Sequence, residues 1–181
     1  SLRTGIEAAK NDWILTIDAD GSYPPSQAPK LLEFAPEFDL VIGTRTGFHF
    51  WGSPLQALRR WAYLRFAAFI VGENVPDANS GLRLVRRALV ERPGAVQCQG
   101  YSFSTTMTLS FLKSGRFVKF TPIEFKARTG RSKVKLARDI LRTLQLMTEV
   151  FIYYNPLKFF VTLAAVPAFF AVVLAAVYGC H

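Results

Sequence analysis

The chain has 181 residues, 50% of them hydrophobic, and its 22 Lys and Arg against 13 Asp and Glu give a formal net charge of +9. That length allows one domain plus an appendage, and the apolar share is ordinary in amount but uneven along the chain. Cys98 and Cys180 lie far apart, as do His49 and His181, which excludes a disulfide framework and a histidine-based zinc site and fits a reducing compartment.

Leu2, Ile6 and Ala9 recur at helical spacing, so Ser1 to Lys10 is predicted as a helix feeding a strand. Trp13-Ile-Leu-Thr-Ile17 is short, apolar and partly β-branched, the pattern of a buried strand. Asp18 and Asp20 follow at its carboxyl end, and Gly21 with Pro24 and Pro25 turns the chain away. In an open α/β sheet that edge is where ligands bind. Two hard oxygen ligands two residues apart suit a Mg²⁺ or Mn²⁺ shared with a substrate's phosphates. The plainer alternative is a turn in which an Asp caps the next helix. Gln27 to Phe34 reads as a short helix stopped by Pro36, and Asp39 to Gly43 as a second strand ending at Thr44-Arg45. This alternation predicts an α/β architecture with a mostly parallel sheet.

Phe48 to Pro54 reads as an aromatic loop and Leu55 to Val71 as a helix, with Leu58, Trp61, Ala62, Phe66 and Phe69 near one face. Core packing is the simplest use of that face; a membrane-facing or lid role is the alternative. Gly81 to Arg86 is strand-like and follows a loop containing Asp77. Ser102 to Lys113 is predicted helical, closed by Ser114-Gly115. Arg116 to Phe120 and Ile123 to Phe125 read as strand pieces interrupted by Pro122. Farther on, Ile140, Leu144, Met147 and Phe151 keep one helical face apolar, which predicts an amphipathic helix on a bilayer surface, with Tyr153 and Tyr154 at headgroup depth.

From Phe159 to Tyr178 no residue is charged, and such a run in a helix matches the hydrocarbon thickness of a bilayer. Pro167 would kink that helix, which membrane helices tolerate. Between Lys113 and Arg142 ten basic residues face only Glu124 and Asp139. Such an excess just before a span predicts that the preceding domain stays on the cytoplasmic face. It would also attract anionic headgroups or a phosphorylated substrate, whereas the adjacent anchor argues against nucleic acid. A signal peptide is not expected, because the long apolar run lies toward the carboxyl end. The predicted division is a catalytic domain over 1–134, a juxtamembrane helix over 135–156 and a transmembrane helix over 157–179.

Five stretches together carry a resemblance: Gly5 to Asp12, Ile17-Asp-Ala-Asp-Gly-Ser-Tyr-Pro-Pro25, Val41-Ile-Gly-Thr-Arg45, Asp77-Ala-Asn-Ser-Gly-Leu-Arg-Leu-Val-Arg86 and Pro122 to Lys133. In this order, ahead of an apolar run, they resemble the family 2 glycosyltransferases of the GT-A fold, in the polyprenyl-phosphate (dolichyl- or undecaprenyl-phosphate) hexosyltransferase branch. The resemblance implies an inverting transfer of a hexose, of the mannose or glucose type, from a nucleotide-diphosphate sugar to a polyprenyl phosphate at the membrane. The family's first βα unit is absent from this sequence, so a fragment truncated at both ends, and inactive alone, is expected. By resemblance Asp18 and Asp20 hold the divalent metal and Asp77 faces the acceptor as the catalytic residue. Ser80 and Arg83 would hold the acceptor phosphate, and Arg128, Ser132 and Lys133 the donor phosphates. A phosphate acceptor is largely ionised near neutral pH, so Asp77 could orient it rather than deprotonate it.

The chain departs from the family where many relatives carry an acidic residue in the helix, because Ser104-Thr105-Thr106-Met107 has no carboxylate. Gln56-Ala-Leu-Arg59-Arg-Trp61 nearly matches the Gln-x-x-Arg-Trp signature of processive synthases, but it has one residue too many and precedes Asp77. Transfer to another acceptor, a polysaccharide or a lipid, is the rival enzymatic reading. A membrane-tethered, non-catalytic transferase-like module is the rival from another class.

Overall fold

The computed structural model describes residues 2–91, 103–126 and 136–179. The elements run α1 (Leu2–Ala8), β1 (Trp13–Thr16), a 3₁₀ turn at Pro25–Gln27, α2 (Ala28–Leu32), β2 (Leu40–Arg45), α3 (Phe48–Trp51), α4 (Pro54–Val71), β3 (Arg83–Arg86), α5 (Arg87–Val90), α6 (Phe103–Lys113), β4 (Val118–Ile123), α7 (Leu136–Tyr154) and α8 (Pro156–Gly179).

The sheet order is β1-β3-β2-β4. β3 pairs antiparallel with both β1 and β2, while β2 pairs parallel with β4. β1, β2 and β4 therefore point one way and β3 alone runs against them. The sheet is mixed: parallel in most of its strands but antiparallel in two of its three ladders. The predicted parallel character needs that correction, because the Asp77 loop delivers β3 into the middle of the sheet from the edge where β1 and β2 end. As a result the carboxyl ends of β1, β2 and β4 and the amino end of β3 share one edge.

Strand alternation divides the core. Leu40, Ile42, Val85 and Ile14 face α1 and α6, joined by Ile6, Phe103, Met107 and Phe111. Val41, Leu82, Leu84 and Ile123 face the other way, against Tyr23, Leu31 and Ala35. Burying each such aliphatic side chain contributes about 1.5–3 kcal/mol. A third cluster joins α4, α6 and α7 through Ala67, Ile70, Leu109, Met147, Val150 and Phe151. Met147 and Phe151, predicted to lie against a bilayer, are thus packed into the domain. The apolar stripe of α7 finds the uncovered faces of α4 and α6 first, and Ile140, Leu141, Leu144, Ile152 and Tyr153 are the large apolar side chains left exposed among the described residues of that helix.

Three local predictions also change. The loop after β2 contains the short helix α3. β4 runs through Pro122 without a break, because it is paired only with β2 and its other side needs no ladder donor. α4 begins one residue before the predicted start. Ser53 accepts from the Gln56 amide and the Gln56 side chain accepts from the Ser53 amide, a capping box with Pro54 at the first helical position. That cap gives Gln56 its role, and the near-match to a synthase signature has no other use here. Gly72, at φ +87°, closes the helix in the left-handed conformation.

A single residue, Asn155, separates α7 from α8. Its Nδ2 donates to the Ile70 carbonyl, Lys158 Nζ donates to the Phe69 carbonyl, and the Lys158 ammonium sits 4.1 Å from the centre of the Phe69 ring. The start of α8 is therefore tied to the end of α4. Among the described residues α8 alone is long and apolar enough to cross a membrane, and none of its apolar window is buried.

Candidate active site

The shared sheet edge collects Asp18, Asp20, Asp77, Ser80 and Arg83, the predicted site residues that lie within the described segments. Its centre is the Asp77–Gly81 loop, which is held from every side. The Ser80 hydroxyl donates to the Gly43 carbonyl at 2.5 Å, the Gly81 amide to the Tyr23 hydroxyl at 2.9 Å and the Asn79 amide to Asp77 Oδ1 at 3.1 Å. Thr16 Oγ1 donates to the Gly81 carbonyl at 3.3 Å, fastening the loop to the end of β1.

On one side of this loop lies the carboxylate pair. Asp18 is exposed and its carboxylate rests on Gly81: a Cβ added there would stand 2.1 Å from Asp18 Oδ2. Asp20 Oδ1 accepts from the Ser22 amide at 3.1 Å and from the Ser22 hydroxyl, which holds the turn. Burial pushes the Tyr23 phenol above its ordinary pKa, so the ring stays neutral and its oxygen remains an acceptor for Gly81. The Lys126 amide donates to the Ser22 carbonyl at 3.0 Å, so the chain leaves β4 beside the Asp20 turn. Arg128, Ser132 and Lys133 follow directly and lie outside the described residues, as do Cys98, Cys180 and His181.

On the other side lies a cationic chamber. Asp77 is 1% exposed. Its carboxylate receives Arg45 Nε at 2.8 Å, Arg45 Nη2 at 2.9 Å and the Arg45 amide at 3.2 Å. The guanidinium of Arg45 also sits 5.0 Å from the Phe50 ring and 5.5 Å from Phe125. Burial works against its charge, but the bond to Asp77 and the charge of Asp77 outweigh that and hold the group above its ordinary pKa. Arg60 stacks on the same Phe50 at 4.6 Å. Burial, then the charge of Arg45, pull its pKa down. Its Nη1 and the Thr44 hydroxyl are buried without a hydrogen-bond partner. Two guanidiniums on one ring, one with an unused donor, form a place that an anion would complete.

The geometry revises several site predictions. Arg83, expected on the acceptor phosphate, is 1% exposed, and its donors are committed to the carbonyls of Ser80, Ala78 and Ser104 and to Thr108 Oγ1 at 2.6–2.9 Å. Burial pushes its pKa down to about 10, and it is a strut of the loop. Ser80 is fully buried, with its hydroxyl spent on Gly43. Asp77 is locked onto Arg45, which suits positioning rather than proton removal. Just after the acid-free helix segment, Thr108 accepts from Arg83 and donates to the Ala78 and Ser104 carbonyls, holding the loop from beneath. Arg45 and Arg60 are the residues that sequence reasoning missed. Arg45 stood at the end of a recognised strand motif, which was a usable signal; Arg60, within a helix, gave none.

The glycosyl transferase family 2 profile matches residues 1–93. An undecaprenyl-phosphate mannosyltransferase of Micrococcus luteus is 33% identical over 139 residues, covering 74% of this chain and 57% of that protein. A polyprenol monophosphomannose synthase of Mycolicibacterium smegmatis is 30% identical over 67% of this chain and 48% of its own length. A dolichyl-phosphate hexose transferase of Haloferax volcanii is 28% identical over 74% and 59%. The chain thus spans about half the length of the curated relatives it matches. Among solved structures, a glucosyl-3-phosphoglycerate synthase of Mycobacterium tuberculosis in complex with Mn²⁺, UDP and phosphoglyceric acid superposes with a TM-score of 0.61 at 19% identity, over 83% of this chain and 52% of that one. The same enzyme with Mn²⁺ and UDP-glucose gives 0.57 at 20% identity, over 81% and 52%. The likeness to these solved structures establishes the GT-A fold. With more than half of its residues matched by the family profile, the chain belongs to glycosyl transferase family 2.

Proposed function

We propose that this chain forms the membrane-proximal part of an enzyme that transfers a hexose from a nucleotide-diphosphate sugar to a polyprenyl phosphate, with its catalytic domain on the cytoplasmic face. One observation carries this reading: a single clamped loop has the Asp18 carboxylate at its Gly81 end and the Arg45 cation at its Asp77 end. Two phosphate-bearing substrates can be held on opposite sides of that loop, one through a metal and one through guanidiniums.

The donor set at Asp18 and Asp20 fits a divalent cation, because hard cations of the Mg²⁺ type use one or two carboxylates and leave other positions to phosphate and water. No group of three His, Cys, Asp or Glu side chains suited to a metal occurs among the described residues, in keeping with an ion that needs its substrate. Asp18 and Asp20 would hold that ion, and when bound it would supply Lewis-acid stabilisation of the charge that gathers on the departing diphosphate.

On the acceptor side, Arg45 and Arg60 would bind the phosphate, and Asp77 keeps Arg45 in position. An ionised phosphate oxygen is already a nucleophile, so no general base is required. That oxygen bonds to the anomeric carbon as the bond to the donor diphosphate breaks, and the nucleoside diphosphate leaves with the electron pair. Attack from the face opposite the leaving group inverts the configuration. Arg128, Ser132 and Lys133, which follow Lys126 in the sequence, are proposed for the donor phosphates. The apolar α8 and the basic excess ahead of it support membrane attachment with the domain inside.

The full-length protein, given a radiolabelled sugar nucleotide and polyprenyl phosphate, is expected to form labelled lipid only with added Mg²⁺ or Mn²⁺. Activity that persists unchanged in Asp20→Ala would remove the metal assignment.

A further inference from the structure

In the proposed reaction the two ends of the clamped loop serve different substrates, and the bonds at Gly81 set their separation. Gly81 lies just ahead of β3, outside its ladders. Its amide donates to the buried Tyr23 hydroxyl at 2.9 Å, and its carbonyl accepts from Thr16 Oγ1 at 3.3 Å. Thr16 precedes Asp18 in the chain and Tyr23 follows Asp20. The segment that carries the carboxylate pair therefore grips one peptide residue from both ends, and the Asp18 carboxylate rests on that same residue.

Packing does not account for the Tyr23 hydroxyl. A phenylalanine ring would fill the same space among Leu31, Leu82 and Ile123 without burying a polar group. What the hydroxyl adds is the bond to Gly81, whose amide would otherwise be enclosed without a partner. The ring makes a second link. It meets Phe125 edge-on at 5.3 Å between centroids, and Phe125 in turn lies 5.5 Å from the Arg45 guanidinium. Tyr23 thus reaches the Asp77–Arg45 pair by two routes, along the loop backbone and through Phe125. Each site keeps its own shape by other bonds: Ser22 holds Asp20, and Asp77 holds Arg45.

We propose that Tyr23, with Thr16 as its counterpart, is a positioning residue that fixes the carboxylate turn relative to the Arg45 cation, and so aligns the donor's anomeric carbon with the acceptor phosphate oxygen. The role rests on the proposed transfer to a polyprenyl phosphate, and the experiment tells the failure of one from the failure of the other. The full-length protein is assayed with Mn²⁺, undecaprenyl phosphate and radiolabelled GDP-mannose or UDP-glucose, as parent, Tyr23→Phe, Thr16→Val and the double variant. Both substitutions delete a hydroxyl and keep the outline of the side chain. Every rate is divided by the folded fraction read from that variant's unfolding curve.

Tyr23→Phe is expected to lower kcat by about tenfold or more, because a small misplacement of reacting groups is costly. Both KM values and the Mn²⁺ affinity should stay parental, since binding at either end is untouched. Thr16→Val should give the same pattern. The double variant should lose less than the product of the two single losses, because both bonds hold one residue. Parental kcat in Tyr23→Phe would overturn the role. A raised KM or a weakened Mn²⁺ affinity at parental kcat would overturn it too, by assigning the residue to one site alone. If Tyr23→Phe does not fold, Thr16→Val decides by the same criteria. If the parent transfers neither sugar to undecaprenyl phosphate, the reading of the reaction has failed and this role with it.

Discussion

Gly81→Ala separates the function of the loop from its stability. The backbone at Gly81 is not in the left-handed region, so alanine meets no conformational objection there. The obstacle is Asp18, whose carboxylate atoms would lie 2.1, 2.3 and 2.8 Å from the new methyl group. Reaching ordinary contact at 3.4 Å requires Oδ2 to retreat by about 1.3 Å. Asp18 is exposed, so its short side chain can swing outward, and the stability cost should stay near 1 kcal/mol, at the low end for overpacking. Catalysis should suffer far more, since a misplacement of about 1 Å at a reacting centre costs around 10²-fold. In the full-length protein, Mn²⁺ affinity read from the paramagnetic spectrum of the free ion should weaken, and transfer to polyprenyl phosphate should fall by about that factor. The unfolding midpoint in detergent should barely move. Parental Mn²⁺ affinity and parental transfer in Gly81→Ala would refute the placement of the metal on Asp18.

Other perturbations probe the remaining parts. Asp77→Ala leaves the largely buried Arg45 without its counter-charge and should cost about 3 kcal/mol or more in denaturant unfolding, as breaking a buried pair does. Asp77→Asn should raise the KM for polyprenyl phosphate and leave the acidic limb of the pH–rate profile in place; a flattened acidic limb would restore Asp77 as a base. The Tyr63 phenol, 2.7 Å from Thr105 Oγ1, is pushed by burial up to about 12. Because its folded pKa lies above the unfolded value of 10, its contribution to stability is complete below pH 10 and is lost as pH climbs toward 12. Tyr63→Phe should abolish that component of the alkaline unfolding curve. Met147→Ala should cost about 2–4 kcal/mol through the cavity it leaves between α4, α6 and α7, whereas a helix resting on lipid would show no such loss in detergent.

The reach of the sequence is clearest where chemistry and periodicity coincide. An apolar strand ending in Asp18 and Asp20 was legible because strand, turn residues and paired carboxylates occur in one short window. α4 and α8 were legible because an apolar run of that length is too long for a strand and folds only as a helix. What sequence could not supply was pairing direction: nothing in Gly81 to Arg86 says that β3 runs against its neighbours. Nor could it tell which of several basic residues is enclosed. Arg83 has the same side chain as Arg45 and sits in an equally recognisable motif, but the inward pleat of β3 seals it under α6, while Arg45 emerges at a strand end. Amphipathicity misled at Met147 and Phe151, because an apolar stripe is satisfied equally by protein and by lipid. Segment 127–135, which carries the predicted donor-phosphate residues, lies outside the described residues.

The single-residue joint at Asn155 has a kinetic corollary. If α8 spans a bilayer as proposed, then with α7 seated in the domain and α8 secured to α4 on the far side of that joint, no pliant tether among the described residues lets the domain rise or swivel relative to that helix. Its height above the acyl layer would then be a constant of the molecule. The proposed polyprenyl phosphate would then have to reach such a docked enzyme by gliding within the plane of the leaflet. Turnover should accordingly follow the areal density of that lipid, and dilution with inert phospholipid at fixed bulk concentration should slow the reaction.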